Sequence, residues 1–381
     1  MLHSYQKPLR GNKIGVVFGS FAPLHQGHLD LIMQAKKQND GGCIVVVCGY
    51  DGDKGEPLMP HNKRYRYVRE FFADDDLVAV YAINDTEIGI DNYPDGWDGW
   101  MEEFNNIFKK ATNMFGYDNE DLGLSRPERV WYVGDENYYH DLRNRFNEEA
   151  VLVDRQATNP ICATMIRDNP IANWDKITFP FRRVFSTNIL ICGTASEGKS
   201  VMTADLGKYF NAPYSWEWAR DYMKESCVSD WELDGADYMA FLEGQYNLNK
   251  KLINSPANHG VFFADSDSMV TRMYAEYYAK DESCALTQDE FEKIAIMADE
   301  LAAKSRWDKI YLLCPHGVFV DDGERFMAHS GMKERQELFE ILCENIKRTG
   351  NWDKVTVLDG GYWSNFQKIV EEVKGIIEYG N

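Results

Sequence analysis

Two histidines, His25 and His28, bracket Gln26-Gly27 just after an apolar run, and Gly193-Thr194-Ala195-Ser196-Glu197-Gly198-Lys199-Ser200 follows a second apolar run at mid-chain. Both patterns suit phosphate chemistry. In the second, Gly193 and Gly198 let the backbone curl so that successive N–H groups point at phosphate oxygens. Lys199 brings a cation to the β- and γ-phosphates, and Ser200 a hydroxyl to Mg²⁺. Ser196, Glu197 and Thr203 are placed with them as ATP-binding residues. In the first, a turn from strand to helix sets two imidazoles and free N–H groups beside a triphosphate, with Gly19-Ser20-Phe21 on the approach. Adenylyl transfer needs no protein nucleophile there, because positioning the attacking phosphate in line and neutralising the leaving pyrophosphate suffices.

Carboxylates for Mg²⁺ or for an acceptor hydroxyl belong at the end of a strand next to the second loop, and Phe262-Phe263-Ala264-Asp265-Ser266-Asp267 supplies two. Asp265 is assigned to catalysis and metal, with Ser200, and Asp267 to substrate; either is also a plausible helix cap. Glu217 and Arg220, set among Trp216 and Trp218, suit a ring-bearing substrate, or else form an ion pair beside core tryptophans. Arg325, in Phe319-Val320-Asp321-Asp322-Gly323-Glu324-Arg325, reads as a cation on a polar segment able to close on a transferring phosphoryl group. An exposed loop with a surface arginine fits that segment equally well.

These residues need parallel strands to carry them. Apolar, β-branched runs at Ile14–Phe18, Cys43–Cys48, Leu77–Ile83, Val130–Val133 and Val151–Val153 alternate with helical stretches after His28, at Asn62–Phe72 and at Trp100–Phe115. Ile189–Cys192, Val261–Asp265, Ile310–Cys314 and Val355–Leu358 repeat the theme. The expected class is α/β with doubly wound parallel sheets, ligands lying at the carboxyl ends of the strands. At 381 residues the chain exceeds a single core, and the break is placed near Asp175–Thr187, giving domains 1–180 and 181–381.

A net charge of −20 argues against a general nucleic-acid surface. Small anions such as ATP need only a few local cations and amides. No run approaches the roughly 18 to 20 apolar residues of a bilayer span and no cleavable leader is evident, so a cytoplasmic protein without membrane insertion is expected. The eight cysteines are scattered, without paired zinc-like spacing, and read as reduced packing residues.

His25-x-Gly27-His28 resembles the signature of the HxGH nucleotidyltransferases, and Ile161-Cys162-Ala163-Thr164-Met165-Ile166-Arg167 resembles their second, triphosphate-contacting signature. Joined to a P-loop half, the arrangement resembles the bifunctional NadR family, nicotinamide-mononucleotide (NMN) adenylyltransferase fused to ribosylnicotinamide kinase, along nearly the whole chain. The resemblance implies a Rossmann-like nucleotidyltransferase domain followed by a P-loop kinase domain, with ATP, ribosylnicotinamide, NMN and NAD as ligands and Mg²⁺ accompanying ATP. It implies that His25, His28, Thr164 and Arg167 hold ATP phosphates. It also implies that Trp97 or Trp100 offers a face to nicotinamide, that Glu136 borders the pocket, and that Lys199, Asp265 and Arg325 serve the kinase. Cys162 stands where the family has serine, removing one phosphate hydrogen bond. The first strand begins near Ile14, so no DNA-binding helix-turn-helix and no operator binding are expected. Oligomeric state stays open. A pantetheine-phosphate adenylyltransferase/dephospho-coenzyme A kinase fusion ranks lower, because tryptophans near both acceptor pockets suit a flat pyridine ring. A nucleotide sensor with little turnover is disfavoured by the intact Lys199, Ser200, His25 and His28.

Overall fold

The structure, a computed structural model, describes residues 7–49, 59–91, 93–113, 125–154, 160–316 and 331–379. It divides into two compact units, Met1–Phe185 and Ser186–Asn381.

In the first unit, β1 (Lys13–Gly19), β2 (Cys43–Cys48), β3 (Val78–Ile83), β4 (Glu128–Val133) and β5 (Glu149–Leu152) form one sheet in the order β3-β2-β1-β4-β5. Every pairing is parallel, with Val16 opposite both Ile44 and Trp131. Alternate side chains feed two cores: Val17, Val45, Val47 and Val80 on one face, Ile14, Val16, Ile44 and Val46 on the other. That double burial is why the strands read as continuous apolar runs rather than alternating ones. The chain winds outward from β1 to β3, then returns to place β4 on the other side of β1. Loops leaving β1 and β4 therefore diverge, opening a crevice at the carboxyl ends of the strands.

The second unit repeats the plan with β6 (Thr187–Gly193), β7 (Tyr214–Ser215), β8 (Val261–Ala264), β9 (Lys309–Leu313) and β10 (Val355–Leu358), in the order β10-β9-β6-β8-β7 and again all parallel. β6 is central and fully buried. A third core lies among the helices Gly235–Ile253, Ser268–Tyr278 and Gln288–Lys304, around Leu233, Phe241, Leu242, Ala275 and Ile294.

The expected strands are present with ends shifted by a residue or two. The helix expected over Trp100–Phe115 runs from Trp97 to Thr112, so both tryptophans sit in its first turns. β7, two residues long at the sheet edge, carries no apolar run to betray it. Phe104 is wholly buried and stacks between Trp100 and Trp131, with ring centroids 5.8 and 4.5 Å away. Phe104→Ala is expected to cost about 3–5 kcal/mol. Calorimetric melting should show the first unit's transition moving down while the second unit's transition stays in place.

Candidate functional site

The first crevice is a cavity of about 630 Å³ lined by residues at strand ends: Phe18, Gly19 and Ser20 after β1, Cys48 and Gly49 after β2, Asp85 after β3, Asp135 and Tyr138 after β4. His28, Trp97 and Trp100 complete its wall. His25 is the residue before the helix Gln26–Gln38 and lies in extended backbone, its carbonyl accepting the N–H groups of His28 and Leu29 at 2.9 and 3.1 Å. The His25 and His28 rings lie 3.8 Å apart, while the fully buried Phe21 meets the His28 ring edge-on at 5.0 Å. A Cβ at Gly27 would come within 3.3 Å of the His25 ring and 3.4 Å of Ile161, so glycine lets the two signatures approach. His28 thus faces the cavity, with buried His25 behind it as its ring support.

The second signature opens the helix Ala163–Asp168. Arg167 donates to the Ala22 carbonyl at 2.7 Å and to the Thr164 hydroxyl at 3.1 Å, tying this helix to the loop that follows β1. Cys162 precedes the helix without capping it through its side chain.

Aromatic rings close the far end of the cavity. Trp97 lies parallel to Tyr138 at 5.5 Å and to Trp100 at 5.7 Å, and Phe18 packs edge-on or tilted against all three. Both tryptophans line the cavity, so the choice between them left by the sequence resolves into a shared wall. Glu136 is a correction: it is exposed and outside the wall, whereas Asp135 lines it while capping the helix Glu136–Asn144 through the Asn137 N–H at 2.8 Å. Sequence reasoning missed Arg64. Its fully buried guanidinium donates to the carbonyls of Ser20, Cys48 (2.9 Å) and Met59 (3.0 Å), stapling together the chain leaving β1 and β2. Nothing in Lys63-Arg64-Tyr65 distinguishes it from a surface arginine.

In the second unit the loop from Gly193 to Gly198 joins β6 to the helix Lys199–Phe210. Ser196 and Gly198 both take left-handed backbone, φ 61° and 77°, the geometry that turns consecutive N–H groups inward. Lys199 is buried, its Nζ donating to the Thr194 carbonyl at 2.7 Å. Asp265, at the end of β8, is 1 % exposed, and neither of its carboxylate oxygens has a hydrogen-bond partner among the described residues. Burial pushes its acidity toward higher pH, with Glu217 adding to the shift and Lys199, Ser200 and Arg220 opposing it. The buried hydroxyls of Thr194, Thr203 and Ser215 likewise lack partners among the described residues. A polar cluster left unsatisfied at a phosphate loop is what a bound nucleotide and its cation complete. Among the described residues no group of three or more His, Cys, Asp or Glu can hold a metal by itself. The donor set, one hydroxyl and one carboxylate, fits Mg²⁺ that keeps waters and arrives with ATP.

Beside this loop, Glu217, Arg220, Asp230, Tyr238, Phe241, Tyr274 and others line a second cavity. Arg220 Nε and Glu217 meet at 3.0 Å, so the expected ion pair exists and stands in a cavity wall. Two expectations need correction. Asp267 does not face the loop: it is buried, accepts Met269 and Val270 N–H groups at 2.9 and 3.3 Å to cap the helix Ser268–Tyr278, and accepts the Trp307 indole at 2.9 Å. The Glu197 side chain turns away from the phosphate side, to Arg335 and His316. Arg325 lies outside the described residues.

Comparison with known proteins gives the same division. A cytidylyltransferase-like family matches residues 16–169 and an AAA domain family residues 188–363. The chain is 28 % identical to the trifunctional NAD biosynthesis/regulator protein NadR of Salmonella typhimurium (strain LT2), over 96 % of this chain and 84 % of that one. Its identity to the protein of the same name from Escherichia coli (strain K12) is 29 %, with the same coverage. Two solved structures, NadR in complex with NR and NadR in complex with NAD and AMP-PNP, superpose with a TM-score of 0.81 at 32 % identity. They cover 98 % of this chain, which in turn spans 97 and 98 % of theirs. The chain belongs to the NadR family.

The contrast between Asp265 and Asp267 is testable by thermal unfolding. Asp265 has its folded-state acidity shifted upward, so its ionisation at neutral pH opposes folding, increasingly as pH rises through the folded value. Asp265→Asn is expected to leave the second unit's melting temperature unchanged or higher. Asp267→Ala removes a cap and orphans an indole donor, about 2–4 kcal/mol, and should lower it by several degrees. A large loss of stability in Asp265→Asn would contradict the geometry.

Proposed function

We propose that the chain makes NAD in two steps, phosphorylating ribosylnicotinamide to NMN in the second unit and adenylylating NMN in the first. The observation that carries this reading is the pair of separate phosphate sites, each at the carboxyl ends of its own parallel sheet, in a chain that matches NadR over its full described length. The ligands named for the solved NadR structures, NR, NAD and AMP-PNP, suit these cavities.

In the kinase step the 5′-hydroxyl oxygen of the riboside attacks the γ-phosphorus of ATP, the bond to the β,γ-bridging oxygen breaks, and ADP leaves. Lys199 and the loop amides hold the phosphates and follow the charge that develops on them. Asp265, poised toward protonation by burial, accepts the hydroxyl proton. The Ser200 hydroxyl and the Asp265 carboxylate would hold Mg²⁺, which would supply charge neutralisation. Glu217 and Arg220 border the acceptor, and Arg325 is placed as a further cation for the phosphates. In the adenylyl step an NMN phosphate oxygen attacks the α-phosphorus of ATP, the bond to the α,β-bridging oxygen breaks, and pyrophosphate departs. His28 reaches the triphosphate with Thr164 and Arg167, and Gly19 and Ser20 offer backbone close by. The Trp97/Trp100 wall takes the pyridinium ring, a flat cation suited to an aromatic face. No helix of the described residues is long and apolar enough to cross a membrane, and we place the protein in the cytoplasm.

Given ribosylnicotinamide and Mg-ATP, the protein is expected to form NMN first and NAD after a lag; dephospho-coenzyme A should give no phosphorylated product. Lys199→Ala should cut phosphorylation by orders of magnitude and spare adenylylation, whereas His28→Ala should do the reverse. Mixing the two variants should restore NAD formation through free NMN, followed by chromatography. Accumulation of NMN with no NAD from the wild type would overturn the adenylyltransferase assignment.

The first cavity also discriminates by charge. Among the described residues, Asp85, Asp91 and Asp135 line it and no lysine or arginine does. Replacing the substrate's carboxamide by a carboxylate brings an anion into that acidic wall. NMN should therefore exceed nicotinate mononucleotide in kcat/KM by at least about tenfold, on the order of 1.4 kcal/mol; equal values would remove the acidic wall from any part in selection.

A further inference from the structure

Glu197 is an odd residue to find in a loop that binds polyanions. It lies between Ser196 and Gly198, in the stretch whose N–H groups serve the phosphates, and its carboxylate is almost wholly buried. A negative charge at the back of that loop opposes ATP binding unless something cancels it. The structure provides that something. Arg335, in the first turn of the helix Met332–Arg348 and itself almost wholly buried, pairs with Glu197 through Nη2. The same Nη2 donates to the His316 carbonyl at 3.1 Å, and the His316 N–H donates to Glu197 at 3.2 Å. The His316 Nδ1 stands 3.4 Å from the carboxylate while lying 2.7 Å from the Cys314 carbonyl. The phosphate loop, the exit from β9 and the helix Met332–Arg348 thus meet at one carboxylate.

We propose that Arg335 is a positioning residue of the ATP site: it cancels the charge of Glu197 and fixes the back of the phosphate loop, without touching nucleotide itself. The inference rests on the reading of this loop as the kinase ATP site. It requires asymmetry. Losing Arg335 leaves a buried anion beside the phosphates, whereas losing the charge of Glu197 leaves a cation there, which ATP tolerates. Removing both charges is then milder than removing Arg335 alone.

The test is a double-mutant cycle, E197Q, R335M and E197Q/R335M, read as KM for ATP in ribosylnicotinamide phosphorylation. A second readout is the component of Mg-ADP binding that Lys199→Ala abolishes, which needs no acceptor. R335M should raise KM and weaken Mg-ADP binding by tenfold or more with a smaller change in kcat, whereas E197Q and the double variant stay within threefold of wild type. Equal losses in E197Q and R335M that add in the double variant would overturn the proposal. Should R335M fail to fold, R335K carries the test: it keeps the charge and should stay within threefold, and a tenfold rise in a folded R335K overturns the proposal as well. If the wild type binds Mg-ADP but phosphorylates nothing, the functional reading fails and the binding cycle still decides the role of Arg335.

Discussion

Everything in this chain is arranged around placing phosphate charge in an acidic protein. With a net charge of −20, the long-range field repels nucleotides, so binding depends on short-range partners. Two parallel sheets supply these partners in the same way. Where winding reverses about β1 and about β6, strand ends release loops in diverging directions. The N–H groups that open the next helix then point into the gap. In the second unit the buried Lys199 adds a cation at the phosphate loop without altering the overall balance.

The charges that were taken out of water separate by what surrounds them. Arg64 and Arg335 are both buried, yet one is held by three backbone carbonyls and the other faces a carboxylate. Asp267 is buried and accepts three donors, and burial still raises its pKa to about 6, the indole and backbone donors only partly countering the loss of water. Asp265, two residues earlier, has no such donors among the described residues. A buried carboxylate without such donors is one that a bound cation or ligand would complete.

This difference also explains which parts were legible in the sequence. The sheets were readable because strands buried on both faces must be apolar throughout, as in Cys43-Ile44-Val45-Val46-Val47-Cys48. The phosphate loop was readable because Gly193 sits at φ 151° with Leu313 oxygen only 2.8 Å from where a Cβ would stand, and Gly198 at φ 77°, conformations that few other residues accept. What could not be read is the direction of side chains whose type fits two environments. Asp265 and Asp267 both follow the end of β8, but only Asp267 caps the next helix, and it turns to Trp307. Glu136 was expected where Asp135 stands, since either suits the first turn of a helix and only the backbone path decides which meets the cavity. Arg64 and Arg335 left no mark at all, because an arginine that closes a buried network is spelled like one that faces solvent.

The same economy accounts for how the acidic surplus serves the substrates. A nicotinamide nucleotide carries its negative charge on phosphate and a positive charge on the ring, so a site made for it needs opposite polarity at its two ends. The first unit has this gradient. Amides and His28 stand at the exit of β1, and Asp85, Asp91 and Asp135 stand with the rings of Trp97, Trp100 and Tyr138 in the rest of the wall. Carboxylates that would weaken a plain ATP site stand here beside aromatic rings. In the second unit the acceptor cavity again carries two acids, Glu217 and Asp230, among Tyr238, Phe241, Tyr274 and Tyr278, with Arg220 as its cation. Asp230 accepts the Tyr278 hydroxyl at 2.9 Å, which fixes the carboxylate against an aromatic wall. Both cavities thus pair acids with aromatic rings.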